Sequence, residues 1–243
     1  MMISKLYSLH FETTKDYEQN LETLLSLLKK CEKNAFVVAG EVCLTGYDYE
    51  NFEAMVDFSE TAFPQLLKAS QNKTVVLTMV SREGEAVKNF AYVFHNGKLV
   101  RKQPKVRLFK FGEEHHYMQS GVAEDIALFE IDGIKVGVLI CFEIRFKDFW
   151  QKLEGADIIA IPSWWGSLRE QNYLSLTNAL AIMNQCYVVA SDNLNEECCK
   201  ASGIVDPFGV EKRNKKQLLL SHPFDKKEIR KMRRYMDVGI ECE

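Results

Sequence analysis

The sequence is poor in the residues that divide a chain into separate units. Its 243 residues contain 5 scattered prolines and 13 glycines. No Pro/Gly-rich linker, internal repeat or low-complexity tract is present in the sequence. These absences favour a single domain that covers residues 1–243, and a chain of this length can bury a large hydrophobic core.

Long hydrophobic runs are also absent. No apolar stretch approaches the roughly 20 residues that cross a bilayer as a helix. The N-terminal segment MMISKLYSLHFETT lacks the positively charged start and the apolar core of a signal peptide. We therefore expect a cytoplasmic protein with no membrane partner.

The chain has no excess of positive charge. Its formal net charge is −3. Lysine and arginine cluster at residues 212–216 and 226–234, but Glu211, Asp225 and Glu228 lie among them. Mixed charge of this kind is typical of a solvated surface, so no nucleic-acid partner is expected.

Cysteine spacing typical of a metal site is missing as well. The 7 cysteines stand at positions 31, 43, 141, 186, 198, 199 and 242, without a C-x-x-C pair. In a reducing compartment an odd set of this kind is expected to remain as free thiols. The adjacent His115 and His116 share no spacing with other ligands, so we expect them at the surface or at a pocket rim.

Helical and strand patterns alternate along the chain. Amphipathic or apolar periodicity predicts helices at 16–33, 52–70, 146–153 and 172–184, and strands at 35–39, 74–80, 158–161 and 187–190. Asn-Gly at 96–97 and Asp-Gly at 132–133 predict two hairpins, which join 92–95 to 98–100 and 127–131 to 134–140. Hairpins among alternating strands and helices indicate an α/β fold with mixed sheets.

Three predicted strands end at a reactive side chain. Glu41 follows the strand at 35–39, Lys105 follows Pro104, and Cys141 follows the apolar run that ends at residue 140. Taken singly, each has an ordinary interpretation, as a solvated charge or a small buried core residue. If a helix begins soon after Arg145, its dipole and free amides favour a thiolate at Cys141.

Four segments together resemble the carbon–nitrogen hydrolase family, the nitrilase-like amidases, over nearly the whole chain. They are GEVCLTGY at 40–47, RKQPKVRLF at 101–109, CFEIRFKD at 141–148 and SGIVDPFG at 202–209. The chain departs from the family pattern at several positions. Gly40 replaces a proline and Arg107 a histidine, while Leu180 and Met183 replace an arginine and a glutamate of a salt-bridge scaffold that also bears on dimer contacts.

The resemblance implies a four-layer α-β-β-α sandwich and a Glu-Lys-Cys triad formed by Glu41, Lys105 and Cys141. A second glutamate of the family lies seven residues before a glycine, and this spacing selects Glu114. Family members pair through helices, so a homo-oligomer, a dimer or larger, is expected. The implied chemistry requires neither a metal nor a cofactor.

The residue types suit amide cleavage. Cys141 would be the nucleophile and Glu41 the proton carrier, while Lys105 and the backbone N–H of Phe142 would hold the oxyanion. Glu114 would orient Lys105 or the substrate.

Substrate-binding residues are harder to select from the sequence. Tyr47, Trp164 and Trp165 follow strand ends at the same edge, where they would line a small cavity or serve packing or a subunit contact. Arg145 has the geometry to bind a substrate carboxylate, or it pairs with Glu143 or Asp148.

The predicted function is a thiol amidohydrolase. It would cleave a non-peptide carbon–nitrogen bond of a small linear amide or N-carbamoyl compound with water, through a Cys-acyl intermediate, and release ammonia. Two alternatives remain open at the level of sequence: an acyltransferase that uses the same thioester, and a non-catalytic binding relative.

Overall fold

The computed structural model describes residues 3–241, and within that range the chain forms two six-stranded sheets. The first has the order β12-β1-β2-β3-β4-β5 and consists of β1 (Lys5–Leu9), β2 (Ala35–Ala39), β3 (Lys73–Glu83), β4 (Ala86–His95), β5 (Lys98–Pro104) and β12 (Leu219–Pro223). The second has the order β11-β10-β9-β8-β7-β6 and consists of β6 (Phe129–Ile131), β7 (Ile134–Val138), β8 (Ile158–Pro162), β9 (Tyr187–Ser191), β10 (Gly203–Val205) and β11 (Glu211–Arg213).

Both sheets are mixed, as the sequence predicted. In the first sheet β1, β2 and β3 run parallel, and two antiparallel pairings return β5 to the direction of β2. In the second sheet β7, β8 and β9 run parallel. The carboxyl ends of β2 and β5 therefore lie at one edge of their sheet, and those of β7 and β8 at one edge of theirs.

Helices cover the outer faces of both sheets. The helices within residues 3–241 are α1 (Tyr17–Lys30), α2 (Phe52–Ala69), α3 (Glu114–Tyr117), α4 (Lys147–Lys152), α5 (Glu170–Asn184) and α6 (Lys226–Tyr235). The side chain of Asp16 caps α1 by accepting the N–H of Gln19, and Leu21, Leu24 and Leu28 are buried against the first sheet. Helices α4 and α5 pack in the same way on the second sheet.

The inner faces of the two sheets meet in one hydrophobic core. Phe36 and Val38 of β2 are fully buried, and this strand contacts β8 and β9 of the facing sheet. With helices outside each sheet, the layers follow the order α-β-β-α. The predicted four-layer sandwich is confirmed.

Most predicted elements are present with shifted ends. Positive φ angles at Asn96 and Gly97, and again at the 132–133 turn, confirm both hairpins. The predicted strand at 134–140 ends at Val138, and a one-turn 3-10 helix, Cys141–Arg145, which the sequence did not predict, precedes α4. Six cysteines are free and buried, and Cys242 lies outside the described residues. No helix within residues 3–241 is both long and apolar enough to cross a membrane.

Candidate active site

The predicted reactive side chains converge where the two sheets' strand ends meet. Lys105 Nζ lies 2.7 Å from Glu41 Oε1 and 2.6 Å from Glu114 Oε1. All three side chains are buried, with Lys105 wholly inaccessible. Parallel chain direction explains this convergence, because Glu41 follows β2 and Lys105 follows β5 at the same edge of the first sheet.

Cys141 approaches this cluster from the second sheet. Its Sγ donates to the carbonyl oxygen of Trp164 at 3.5 Å, while the backbone N–H of Trp164 donates to Glu41 Oε2 at 3.2 Å. The backbone φ of Cys141 is +47°, in the left-handed region that non-glycine residues rarely occupy. Strained backbone of this kind is concentrated at functional sites, where the surrounding structure enforces it.

The environment of Cys141 disfavours the thiolate. Burial, reinforced by the negative charge of Glu41 and opposed by Lys105, raises the pKa of the Cys141 thiol well above its ordinary value. This direction is opposite to the one expected from a helix dipole acting on Cys141. Cys141 is itself the first residue of a short 3-10 helix, Cys141–Arg145, and α4 begins only at Lys147.

The charges of the cluster are mutually dependent. Burial lowers the pKa of Lys105, but the carboxylates of Glu114 and Glu41 outweigh burial, and the pKa lies above its ordinary value. Burial raises the pKa of Glu114, with Lys105 opposing that rise and Glu41 adding to it. The backbone N–H of Phe109 donates to Glu114 Oε2 at 3.0 Å and the hydroxyl of Tyr47 to Oε1 at 2.9 Å. The Lys105 ammonium thus lies between the carboxyl groups of Glu41 and Glu114.

A small cavity opens beside the sulfur of Cys141. Its volume is about 20 Å³, which is room for one water molecule. Its lining consists of Cys141, Phe109, Phe142, Arg145, Trp164, Trp165, Gly166 and Arg169. Of the predicted substrate-binding residues, Arg145, Trp164 and Trp165 line this cavity, whereas Tyr47 lines a neighbouring cleft of about 530 Å³.

Arg145 pairs with neither of the carboxylates considered from the sequence. Its guanidinium donates to Asn172 Oδ1 at 2.9 Å and lies 4.9 Å from the ring centroid of Trp165. Glu143 is fully buried and turns away toward backbone amides, and within residues 3–241 Asp148 forms no ion pair with Arg145. The guanidinium therefore has no anionic partner in the described part of the chain.

Comparison with known proteins decides the family. The carbon-nitrogen hydrolase family matches residues 7–218 of this chain. The chain belongs to the carbon-nitrogen hydrolase family. It is 32% identical over 203 residues to a 2-oxoglutaramate amidase from Bacillus subtilis, a match that covers 79% of this chain and 78% of the relative.

Other relatives agree with this assignment. A deaminated glutathione amidase from Escherichia coli O157:H7 is 28% identical over 214 residues, which cover 82% of this chain and 81% of the relative. In fold, the chain is similar to a CN-hydrolase superfamily protein from Xanthomonas campestris, with a TM-score of 0.86, 20% identity and coverage of 98% and 96% of the two chains. This carbon-nitrogen hydrolase therefore acts on carbon–nitrogen bonds other than peptide bonds.

Close packing explains why this hydrolase has glycine at position 40, where the family usually has proline. A Cβ atom at position 40 would lie 2.6 Å from Asn193 Oδ1. The Asn193 amide is fully buried and donates both to the carbonyl of Glu41 at 2.9 Å and to the carbonyl of Ser163 at 3.1 Å. Gly40 thus allows Asn193 to join the loop that carries Glu41 to the loop that carries Trp164.

None of the other three departures named above falls on Glu41, Lys105 or Cys141. Leu180 is completely buried in the core, whereas Met183 is 64% exposed on α5. Arg107 is exposed, and its guanidinium lies 5.0 Å from the ring centroid of Phe146. His115 and His116 are both exposed next to the site, in agreement with the predicted surface position.

Two buried polar residues of the site were missed from the sequence. Asn89 donates to Glu41 Oε1 at 2.9 Å from the middle of β4. Glu143 accepts the N–H groups of Val106 at 2.6 Å and of Ile140 at 2.7 Å, and so links the segment after Lys105 to the turn that carries Cys141. In both cases the sequence signal that could have identified the residue was a polar side chain inside an apolar segment.

Proposed function

We propose that this hydrolase cleaves a small linear amide through a thioester on Cys141, with Glu41, Lys105 and Cys141 as the catalytic triad. One observation carries the proposal: the buried Lys105 ammonium lies between the carboxylates of Glu41 and Glu114, with the Cys141 thiol linked to Glu41 through Trp164. Few structural roles justify burying three such charges beside a thiol.

Acylation begins with proton transfer from the thiol of Cys141 to the carboxylate of Glu41. The sulfur attacks the amide carbon, and the carbonyl electron pair moves onto oxygen. The ammonium of Lys105 and the backbone N–H of Phe142, in the first turn after the nucleophile, stabilise that oxyanion. The tetrahedral intermediate collapses, the carbon–nitrogen bond breaks, and the protonated Glu41 supplies the proton with which ammonia leaves.

Deacylation repeats the same steps with water. Glu41 takes a proton from a water molecule, whose oxygen attacks the thioester carbon. Collapse of the second tetrahedral intermediate breaks the carbon–sulfur bond and returns a proton to Cys141. One amide and one water thus yield one carboxylic acid and one ammonia, without a metal or cofactor.

Glu114 has a positioning role in this scheme. It holds Lys105 Nζ at 2.6 Å, and it is itself held by Tyr47 and by the N–H of Phe109. Its negative charge keeps Lys105 protonated when Glu41 becomes neutral during acylation. Tyr47 therefore supports the catalytic charges instead of lining the substrate cavity.

Arg145 points to the substrate class. Its guanidinium lines the cavity beside Cys141 without an anionic partner in residues 3–241, so a carboxylate at the far end of the substrate fits there. An omega-amide of a dicarboxylic acid has this form, as does an N-carbamoyl amino acid. The name of the Bacillus subtilis relative, 2-oxoglutaramate amidase, supports the omega-amide as the substrate class.

An ammonia-release assay tests the proposed function. We expect ammonia from a short omega-amide, with the rate falling to background in Cys141→Ala and after alkylation of the wild-type thiol. Ureido acids and nitriles in the same screen define the bond that is cleaved. Hydroxylamine added during turnover intercepts the thioester as a hydroxamate and measures acyl transfer against hydrolysis.

We further propose that the hydrolase acts as a homo-oligomer through the outer surface of α5. Ile182 and Met183 of α5 and Val210 of the adjoining loop are exposed apolar side chains, and Asn178 donates to the carbonyl of Gly209 at 2.9 Å to hold that loop on the helix. Charged substitution of Met183 and Val210 should yield a monomer by light scattering. An unchanged mass would contradict this assignment.

A further inference from the structure

Arg169 places a second guanidinium at the cavity beside Cys141. It stands at the start of α5 and lines the same small cavity as the thiol and Arg145. The guanidinium lies 5.3 Å from the ring centroid of Phe109, and within residues 3–241 it forms neither a hydrogen bond nor an ion pair. A half-buried cation held only by an aromatic ring retains its full capacity for an anion.

The backbone of Arg169 is fixed although its charged group is not. Its N–H donates to the carbonyl of Gly166 at 3.0 Å, and its carbonyl accepts the indole N–H of Trp165 at 2.8 Å. The missing side chain of Gly166 leaves space for the guanidinium, since a Cβ atom there would lie 2.5 Å from Arg169 Nη2. The chain thus holds this cation at the cavity wall.

We propose that Arg169 is a specificity-determining residue whose guanidinium binds the carboxylate at the end of the substrate remote from the scissile amide. This inference rests on the proposed function and adds Arg169 to Arg145 as a second cation for the distal carboxylate proposed there. Arg145 and Arg169 line one cavity, and no carboxylate of residues 3–241 pairs with either guanidinium. A guanidinium is a planar donor that suits a planar carboxylate, which accepts hydrogen bonds at both of its oxygens.

The test compares two amides with the same number of carbons, glutaramate and pentanamide, of which only the first has a carboxylate. For Arg169→Gln we expect kcat/KM for glutaramate to fall roughly 10- to 100-fold, mainly through KM, because a charged hydrogen-bond partner is lost. Pentanamide hydrolysis should change by less than about threefold, since it makes no contact that needs the charge. Arg169→Lys should recover part of the loss.

Arg107→Gln is the matched control. Arg107 is also an arginine stacked on an aromatic ring, but it lines a separate cleft and not the cavity of Cys141. Its substitution should leave kcat/KM unchanged for both glutaramate and pentanamide. An equal fall for the two amides in Arg169→Gln, or no fall for glutaramate, would overturn the assignment of Arg169.

Binding of glutarate separates this inference from the proposed function. Titration calorimetry on Cys141→Ala should show glutarate binding that Arg169→Gln weakens at least about 10-fold and Arg107→Gln does not. If the wild-type protein releases no ammonia from either amide but this binding difference persists, the proposed function fails and the role of Arg169 stands. If glutarate does not bind to Cys141→Ala, or binds equally well with and without the Arg169→Gln substitution, the role of Arg169 is refuted.

Discussion

Glu41 and Cys141 bond to the two backbone polar groups of a single residue, Trp164. The carboxylate accepts its N–H at 3.2 Å and the thiol donates to its carbonyl oxygen at 3.5 Å. The proposed base and nucleophile come from different sheets, so this shared neighbour fixes their separation. A displacement of the loop at 163–166 would misplace both groups at once.

The first prediction concerns the nucleophile. Cys141→Ala should lower ammonia release by at least about 1,000-fold, because no other group of the cluster can form the acyl intermediate. Cys31→Ala is the control, since Cys31 is also buried but lies at the end of α1. Intact-protein mass spectrometry should find the acyl adduct in the control and not in Cys141→Ala. Residual turnover near the wild-type rate would exclude Cys141 as the nucleophile.

The second prediction concerns pH. Because burial and Glu41 raise the pKa of Cys141, the free enzyme should carry a thiol at neutral pH, and the thiolate fraction should grow as pH rises toward that pKa. Alkylation of Cys141 by iodoacetamide, followed by peptide mass spectrometry, should therefore accelerate continuously from pH 6 to 9. A plateau below pH 7 would show that a thiolate is already formed.

The third prediction concerns the buried ammonium. Lys105→Met should lower the free energy of unfolding by about 3–5 kcal/mol, because two buried carboxylates lose the cation between them. Urea unfolding measures this change, and Lys98→Met, at an exposed position, serves as the control. The triple variant Glu41→Gln, Lys105→Met, Glu114→Gln should regain most of the stability while remaining inactive. Equal stability of Lys105→Met and wild type would argue that the carboxylates are neutral.

The fourth prediction uses Glu143. Burial raises its pKa from 4.5 to about 7 in the folded chain. The fold therefore prefers the protonated form, and the stability that this group contributes is complete below pH 4.5 and is lost as pH rises through about 7. Glu143→Gln should remove that part of the pH dependence from urea unfolding curves. An identical pH slope in wild type and variant would contradict the raised pKa.

The fifth prediction tests the packing at Gly40. Gly40→Ala should destabilise the fold by about 1–3 kcal/mol and lower kcat, because Asn193 is held by two carbonyl groups and has no space to move. Asn193→Ala removes the obstructing amide. The double variant should lose less stability than the sum of the losses in the two single variants, as expected for residues in contact. Strict additivity would show that the two positions do not interact.

The strand-end pattern and the family resemblance together selected Glu41, Lys105 and Cys141, since each residue taken singly has an ordinary interpretation. Apolar runs ending at Glu41 and Cys141 marked strand ends, and the segment around Lys105 carried the resemblance that joined all three. Because parallel strands end at the same edge of a sheet, strand ends of this kind come together there. The position of Glu114 beside Lys105 also follows from the spacing to Gly121 that the resemblance supplied.

Partners across the sandwich could not be predicted in this way. Asn89 reaches Glu41 from a strand 48 positions later in the sequence, and Glu143 bonds to amides 36 and 37 positions earlier. Which side chains meet between two sheets depends on their register and packing, and no local periodicity encodes that. The raised pKa of Cys141 could not be predicted for the same reason, because its burial is a property of the assembled layers.

The volume beside the sulfur has a consequence for turnover. Because this space holds about one water molecule, an amide bound there would displace side chains of the wall or extend into the open space beside it. Contacts at the far end of the substrate would offset the cost of such a displacement, so substrates that are held firmly at that end would be favoured. In the proposed mechanism, a space of this size beside the thioester would admit water more readily than a bulky amine, which would favour hydrolysis over transfer to large acceptors.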